Sequence, residues 1–365
     1  MAAPGITKRS DGLLCATLQV NGVRRYVYGK TEREVKTKLA DLQRQVATAG
    51  SLPDPGRRMV DDLLDEWLSA TKPTLKAKTW ADYDAVCRRY VRPAIGRVKL
   101  ARFTPNHVQA LYASLQAKDY NRIPDQVHDV LHRACELGVL WRWLAENPCD
   151  RVLKPTYQAP RKEVWDHDEL RAFLEGAASH TLYPLWVTLL ATGCRLGELL
   201  GLSWADVDLA PGAVKVRGNL QRIRGEWVKS TPKTQAGERT ITLPAEGVTA
   251  LKTQRARLAE WRLKAGQEWQ DGGLVFTGLK GQPLQPSVVE HALARECERL
   301  GLPKTTPHGL RQLHASLLLD AGLPVPLVSA RLGHARPSIT MSIYAHKVGQ
   351  DDRQAADALA RALGG

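Results

Sequence analysis

Six side chains in this sequence form a set with recognisable chemistry: Arg195, Lys233, His308, Arg311, His334 and Tyr344. Two arginines, a lysine, two histidines and a tyrosine make a coherent apparatus for phosphoryl transfer. No acidic cluster is available to hold a pair of metal ions, so the charge of a transition state must be met by side chains. Taken singly, each residue is ordinary. An arginine such as Arg195 is usually a surface ion pair, a lysine such as Lys233 is usually solvated, and a tyrosine such as Tyr344 usually belongs to a core or a surface. The set and its order carry the chemistry.

The local sequence says how each residue is presented. Arg195 follows a helix break at Thr192-Gly193, and Glu198 lies three positions on, on the same helical face. Lys233 sits in Lys229-Ser-Thr-Pro-Lys233-Thr234, between two candidate strands, which predicts a place near a hairpin tip. Thr306-Pro307 is suited to start a helix, so His308 and Arg311 share a face near free N–H groups that favour a phosphate. His314 continues that face and reads as packing, because paired carboxylates for a metal site are missing nearby. His334 follows Leu332-Gly333, and Tyr344 comes ten residues later.

These segments lie in a region that opens at Asp166, with Glu169 completing a capping box. An apolar helix is predicted over Tyr183–Ala191, a short helix over Arg195–Leu200, and strands at Val214–Val216, Trp227–Lys229 and Thr240–Leu243. Further helices are predicted at 245–265, 286–299, 308–319, 324–331 and 351–363. The region spans 160–365 and follows a linker at Tyr157–Lys162.

Two smaller parts precede it. Leu13–Val20 and Val23–Tyr28 read as strands joined by a tight Asn21-Gly22 turn, with a third strand at residues 5–9 and a helix from Thr31 to about Val46. Residues 1–50 are basic, and Arg24 and Arg25 alternate on the return strand. After a Pro/Gly-containing linker at Ser51–Arg57, residues 58–155 read as four helices: Val60–Leu68, Thr79–Tyr90, one started by Thr104-Pro105, and 123–139. Their aromatics at helical spacing read as core. Lys72, Lys76, Lys78, Arg88, Arg89, Arg92, Arg97 and Lys99 surround turns and helix ends, as phosphate contacts do.

Composition agrees with that organisation. The 365 residues are 43% hydrophobic, enough for two or three domains. The net charge of +14 favours a polyanion, and nucleic acid leads that class. None of the six cysteines forms a CxxC pair, which argues against a zinc knuckle or a redox motif. The N-terminus lacks the long apolar run of a secretory leader, and the patch at Leu185–Ala191 is too short to span a bilayer. The expectation is a cytoplasmic, DNA-associated protein with reduced thiols.

The motifs together resemble those of the tyrosine recombinase family, also called the phage integrase family. The first box of that family is similar to Ala191-Thr-Gly-Cys-Arg195-Leu-Gly-Glu198-Leu-Leu-Gly-Leu-Ser-Trp204-Ala-Asp206-Val-Asp208. Its lysine motif is matched by Pro232-Lys233-Thr234 followed by Arg239-Thr-Ile-Thr-Leu-Pro244. Its His-x-x-Arg box is matched by His308 to Arg311, and its closing box by Leu332-Gly-His334 with Ile343-Tyr344-Ala-His346. One departure is mild: Gln312-Leu313 stand where members often carry His-Thr, ahead of the expected His314-Ala-Ser.

The resemblance implies a multidomain fold: an arm-type DNA-binding domain at 1–50, a helical core-binding domain at 58–155, and a mainly helical catalytic domain with a small antiparallel sheet at 160–365. It implies Tyr344 as nucleophile, Arg195 and Arg311 as clamps on the phosphate, Lys233 as general acid, His308 as proton acceptor or positioning group, His334 as hydrogen-bond donor and Glu198 as orienting residue. The bond energy is stored in a 3'-phosphotyrosyl link, so no cofactor is implied. The implied partners are double-stranded DNA with core and arm sites, a homotetramer on that DNA, and DNA-bending or directionality factors. The implied activity is integration or excision of a mobile element. A type IB topoisomerase, a cellular Xer-like resolvase and a non-catalytic DNA-binding regulator are the alternatives.

Overall fold

The computed structural model describes residues 6–9, 12–20, 23–49, 57–157, 164–230, 238–334, 336–338 and 341. The chain divides into two compact units, residues 1–159 and 160–365. Tyr344, Lys233, the Asn21-Gly22 turn and the helix expected at 351–363 lie outside the described residues.

The first unit begins with an antiparallel sheet of β1 (Thr7–Lys8), β2 (Leu14–Val20) and β3 (Val23–Gly29), in that order. Thr7 pairs with Cys15, so the expected third strand exists as a two-residue edge. Helix α1 (Glu32–Ala49) covers one face of the sheet, and Ala16, Leu18, Val35 and Leu39 form the core between them. Thr31 Oγ1 accepts from the Glu34 N–H at 3.2 Å. The Glu34 carboxylate accepts from Lys30 N–H rather than from Thr31.

The rest of this unit is helical: α2 (Val60–Thr71), α3 (Ala77–Val86), α4 (Arg92–Ile95), α5 (Pro105–Gln116) and α6 (Ile123–Leu140). Leu63, Leu64 and Trp67 of α2, Leu111 and Tyr112 of α5, and Leu131 and Ala134 of α6 meet in one core. The helix expected at 79–90 starts two residues earlier and does not stop at Tyr90. One π-helical turn, Cys87–Val91, carries it into α4. Pro93 explains the wider turn: it has no N–H and its ring clashes with the carbonyl four residues back.

The second unit is built around α8 (Tyr183–Thr192), which packs against α10 (Ala245–Ala265) and α12 (Pro307–Asp320). Leu185, Trp186, Val187, Thr188 and Leu189 are all buried, so the helix has no solvent face over that stretch. Around it lie α7 (His167–Gly176), α9 (Leu196–Leu200), α11 (Pro286–Arg299) and α13 (Val325–Leu332). The predicted capping box at Asp166 forms, with Asp166 Oδ1 accepting from the Glu169 N–H at 2.8 Å.

The strands depart from expectation. The antiparallel sheet is β4 (Val207–Asp208), β5 (Ala213–Val216) and β8 (Arg239–Thr242), while β6 (Asn219–Ile223) and β7 (Glu226–Ser230) form a separate hairpin. Strand β7 contains the expected Trp227–Lys229 and pairs with β6, so β7 and β8 are not partners across a hairpin tip. Lys233 falls between these two strands, outside the described residues. The missed hairpin turns at Arg224-Gly225, with φ of 51° and 91°. Arg-Gly lacks the Asn or Asp that usually signals such a turn.

The packing around α6 yields a stability prediction. Leu131 is fully buried, so Leu131→Ala is expected to destabilise the protein by about 2–5 kcal/mol. A urea titration of the intact chain, followed by far-UV circular dichroism, measures it.

Candidate active site

Five of the seven catalytic residues expected from sequence are described, and they come from three separate segments. Arg195 and Glu198 lie at the start of α9, His308 and Arg311 in the first turns of α12, and His334 just past α13. Arg311 bridges the other two segments through hydrogen bonds to the Gly193 and Leu332 carbonyls, which puts these groups around one locus.

The α8–α9 junction depends on glycine. Gly193 ends α8 in the left-handed region, with φ of 62°. A Cβ there would lie 2.5 Å from His314 Cδ2 and 2.9 Å from Leu332 Cδ2. The tight reversal points Arg195 outward at the N-terminus of α9. Glu198 then reaches back: Oε2 accepts from the Arg195 N–H and Oε1 from Arg195 Nη1, each at 2.9 Å. The Arg195 side chain is 45% exposed and Glu198 only 9%, so the carboxylate steers a guanidinium that can still meet a ligand.

Arg311 is more deeply set, at 2% exposure. Nη1 donates to the Gly193 carbonyl at 2.7 Å and Nη2 to the Leu332 carbonyl at 2.8 Å. These carbonyls lie two residues before Arg195 and two before His334, so one guanidinium spaces the two segments. Burial, then repulsion from Arg195, lowers Arg311 to about 10, which leaves it charged at neutral pH.

Two arginines without an assigned role in the sequence belong to the same locus. Arg239, at the start of β8, donates through Nη2 to Glu198 Oε2 at 3.0 Å and through Nε to the Arg331 carbonyl at 2.7 Å. Arg331, in the last turn of α13, donates to the carbonyls of Ala191 and Thr242, each at 3.0 Å. Burial raises the Glu198 carboxyl, but attraction to Arg239 and the hydrogen bonds to it outweigh that effect and hold it below its ordinary range. In the sequence Arg239 stood just ahead of the predicted strand Thr240–Leu243, inside the segment that matches the family's lysine motif, with no role of its own. The available signal was a cation beginning a strand whose neighbours are β-branched.

The histidines are held neutral. His314 Nδ1 faces the Leu190 carbonyl at 2.6 Å and Nε2 faces the Arg331 Nε–H at 3.2 Å. A carbonyl only accepts and a guanidinium only donates, so the proton sits on Nδ1. Burial drives His314 down to about 4, and burial with the surrounding arginines does the same to His334. The packing role expected for His314 matches these contacts.

The basic residues of the first unit are unequal. Lys76, Arg88, Arg89, Arg97 and Lys99 are exposed. Lys72 lies over the Trp80 ring at 5.1 Å, and Lys78 pairs with Asp82. Arg92 differs from expectation: it pairs with Asp61 at 3.3 Å and Asp65 at 2.6 Å, which neutralises charge expected for a phosphate. Arg24 and Arg25 lie opposite Gln19 and Leu18 in the β2–β3 register, and their side chains lie outside the description.

Comparison with known proteins supplies the family. The pattern of the phage integrase family matches residues 163–350, more than half of the chain. This chain belongs to the phage integrase family. Residues 60–116 match the N-terminal SAM-like domain of phage integrases. A "Tyrosine recombinase XerC-like" protein of Caldanaerobacter subterraneus subsp. tengcongensis is 26% identical over 359 residues, covering 92% of this chain and 91% of the relative. The fold is similar to that of the Tn1549 transposon integrase in complex with a circular intermediate DNA, with a TM-score of 0.70, 21% identity, and coverage of 82% of this chain and 99% of the other. It is also similar to a lambda integrase tetramer bound to a Holliday junction, with a TM-score of 0.61, 17% identity, and coverage of 93% and 94%. This integrase is a tyrosine-type site-specific recombinase, a DNA strand transferase. Among its described residues, no helix is long and apolar enough to cross a membrane.

Two predictions follow from the geometry. Gly193→Ala adds a left-handed alanine, costing about 1–2 kcal/mol, to a contact with His314. The integrase should lose at least that much stability in a urea titration, together with most strand-transfer activity. The second concerns pH. His314 and His334 have folded pKa values of about 4, below the ordinary value of 6.5. The unfolded chain therefore binds more protons between those values. Their contribution is intact above pH 6.5 and is lost as pH falls toward 4, so the melting temperature should fall over that window. His314→Gln, which preserves one donor and one acceptor, should flatten the slope.

Proposed function

We propose that this integrase cuts and rejoins double-stranded DNA at specific sites through Tyr344, integrating or excising a mobile element. The observation that carries the reading is that Arg311, one helical turn after His308, bonds to the carbonyls two residues before Arg195 and two before His334, while Glu198 holds Arg195. The Tyr344 oxygen attacks the scissile phosphorus and its proton passes to His308. The bond from phosphorus to the 5'-oxygen breaks, and Lys233 protonates the leaving oxygen. The product is a 3'-phosphotyrosyl link and a free 5'-hydroxyl. In the second step the 5'-hydroxyl of a partner strand attacks that link and releases Tyr344.

Arg195 and Arg311 stabilise the non-bridging oxygens, and neutral His334 donates a hydrogen bond to one of them. Arg311 also spaces the segments that carry the other two groups, so it has both a chemical and a structural part. The similar Tn1549 integrase in complex with a circular intermediate DNA and the lambda integrase tetramer bound to a Holliday junction support a DNA partner and a tetramer on a four-way junction. Residues 58–155 serve as the helical core-binding domain, with Lys72, Lys76, Arg88, Arg89, Arg97 and Lys99 toward the backbone of the duplex. The sheet unit at 1–50 serves as the arm-binding domain, with Arg24 and Arg25 among its DNA contacts. Bending or directionality factors accompany the arm sites, and the protein works in the cytoplasm.

The experiment is sequencing of DNA ends covalently trapped on the integrase, followed by cleavage of a nicked suicide duplex built from the mapped site. Wild type forms an adduct that survives a denaturing gel. Tyr344→Phe binds the duplex and forms none; an adduct in that variant would refute the assignment. Arg195→Ala and Arg311→Ala are expected to slow cleavage by about 10²–10³-fold, and Glu198→Gln by less. The XerC-like relative favours one second reading, a cellular resolvase. Trapped ends at one host chromosomal site, with none at element ends, would select it.

A further inference from the structure

The catalytic roles leave Arg239 and Arg331 unused, yet both are held in place by several hydrogen bonds. They engage each other's elements reciprocally. Arg239 of β8 donates to the Arg331 carbonyl at the end of α13, and Arg331 donates to the Thr242 carbonyl in β8. From this clasp Arg239 reaches Glu198 Oε2 at 3.0 Å, and the other oxygen of Glu198 holds Arg195 Nη1. Arg331 reaches the Ala191 carbonyl at the end of α8. The chain of contacts runs from α13 through Arg239 and Glu198 to Arg195.

Holding two cations side by side in a half-dry region is costly, and burial together with Arg239 lowers the Arg331 guanidinium. An apolar contact would join β8 to α13 without that repulsion. What it would not supply is direction. Two N–H groups of one rigid plane fix where a carboxylate and a carbonyl stand relative to each other, and a lysine cannot do this. Arg239 is 8% exposed, and it spends this geometry on Glu198 rather than facing solvent.

We propose that Arg239 is a positioning residue for strand cleavage: seated by Arg331, it orients Glu198 and thereby sets the Arg195 guanidinium on the scissile phosphate. This inference rests on the reading of Arg195 as a clamp on a non-bridging oxygen. Arg239 itself makes no contact with the phosphate. It acts through the carboxylate, so the need for it should vanish when the charge that Arg195 neutralises is removed.

The test uses the full-length integrase and a suicide duplex of its mapped site, made with either a normal phosphate or an uncharged methylphosphonate at the scissile position. Arg239→Lys keeps the charge and loses the fork. It is expected to bind the duplex as wild type does and to cleave the normal phosphate about 10–100-fold more slowly, the scale of a small misplacement. On the methylphosphonate, Arg195→Ala and Arg239→Lys should both recover toward the wild-type rate on that substrate. A general folding defect slows both substrates equally. Recovery of Arg195→Ala without Arg239→Lys overturns the positioning role and leaves the clamp intact. Failure of Arg195→Ala to recover refutes the clamp, and the inference falls with it. Should Arg239→Lys prove insoluble, Arg331→Lys carries the same comparison: recovery supports the clasp and equal loss on both substrates overturns it.

Discussion

The second unit depends on how the carbonyl ends of two helices are satisfied. Helices α8 and α13 both finish in buried surroundings, where the last carbonyls have no intrahelical partner and little water. Side chains take them instead. His314 meets Leu190, Arg331 meets Ala191 and Arg311 meets Gly193, while Arg239 and Arg311 meet Arg331 and Leu332 at the end of α13. Cations suit these positions because the partial charge of a helix C-terminus is negative. Each bond removes an orphaned acceptor and offsets the desolvation of a guanidinium, and the same bonds hold the reacting groups at fixed separations.

This arrangement also sets the charge of the locus. Two guanidinium groups, those of Arg195 and Arg239, share one buried carboxylate, Glu198, and Arg311 and Arg331 add two more cations to the locus. The excess of positive charge is felt by its neighbours. Burial first, and this charge after it, lowers Arg311 and discourages protonation of His334 and His314. Such an excess of positive charge suits an anionic group such as a phosphate. Neutral histidines in such a field can donate a hydrogen bond without adding to the repulsion.

The first unit solves a different problem with simpler means. Its helices bury Leu63, Leu64, Trp67, Tyr112 and Leu131 in one core and leave lysines and arginines around the ends of α2 to α4. Charge on that surface is a matter of local pairing. Arg92 is drawn to Asp61 and Asp65 because Pro93 and the π-helical turn bring it beside α2. Arg88 and Arg89, on the same turn, remain exposed.

Much of this molecule was decided by sequence alone. Capping residues at Asp166 and Thr306, the helix break at Gly193 and the periodic cores of α2, α5 and α6 are local signals, because a cap or an apolar stripe involves residues a few positions apart. Arg195, His308, Arg311 and His334 stood out for the same reason, since motif spacing is a property of the chain, and the fold brings their segments together through Arg311. The β6–β7 hairpin was not, since strand pairing is non-local and its Arg-Gly turn carries a weak cue. Nor was the place of Arg239 beside Glu198, or of Arg331 beside Arg239. An arginine 41 residues away in the chain becomes the partner of that carboxylate only when β8 is laid between α9 and α13. Residue type and order therefore carried the family. Folding decided which groups share the buried carboxylate, because only packing brings distant donors to the same orphaned acceptors.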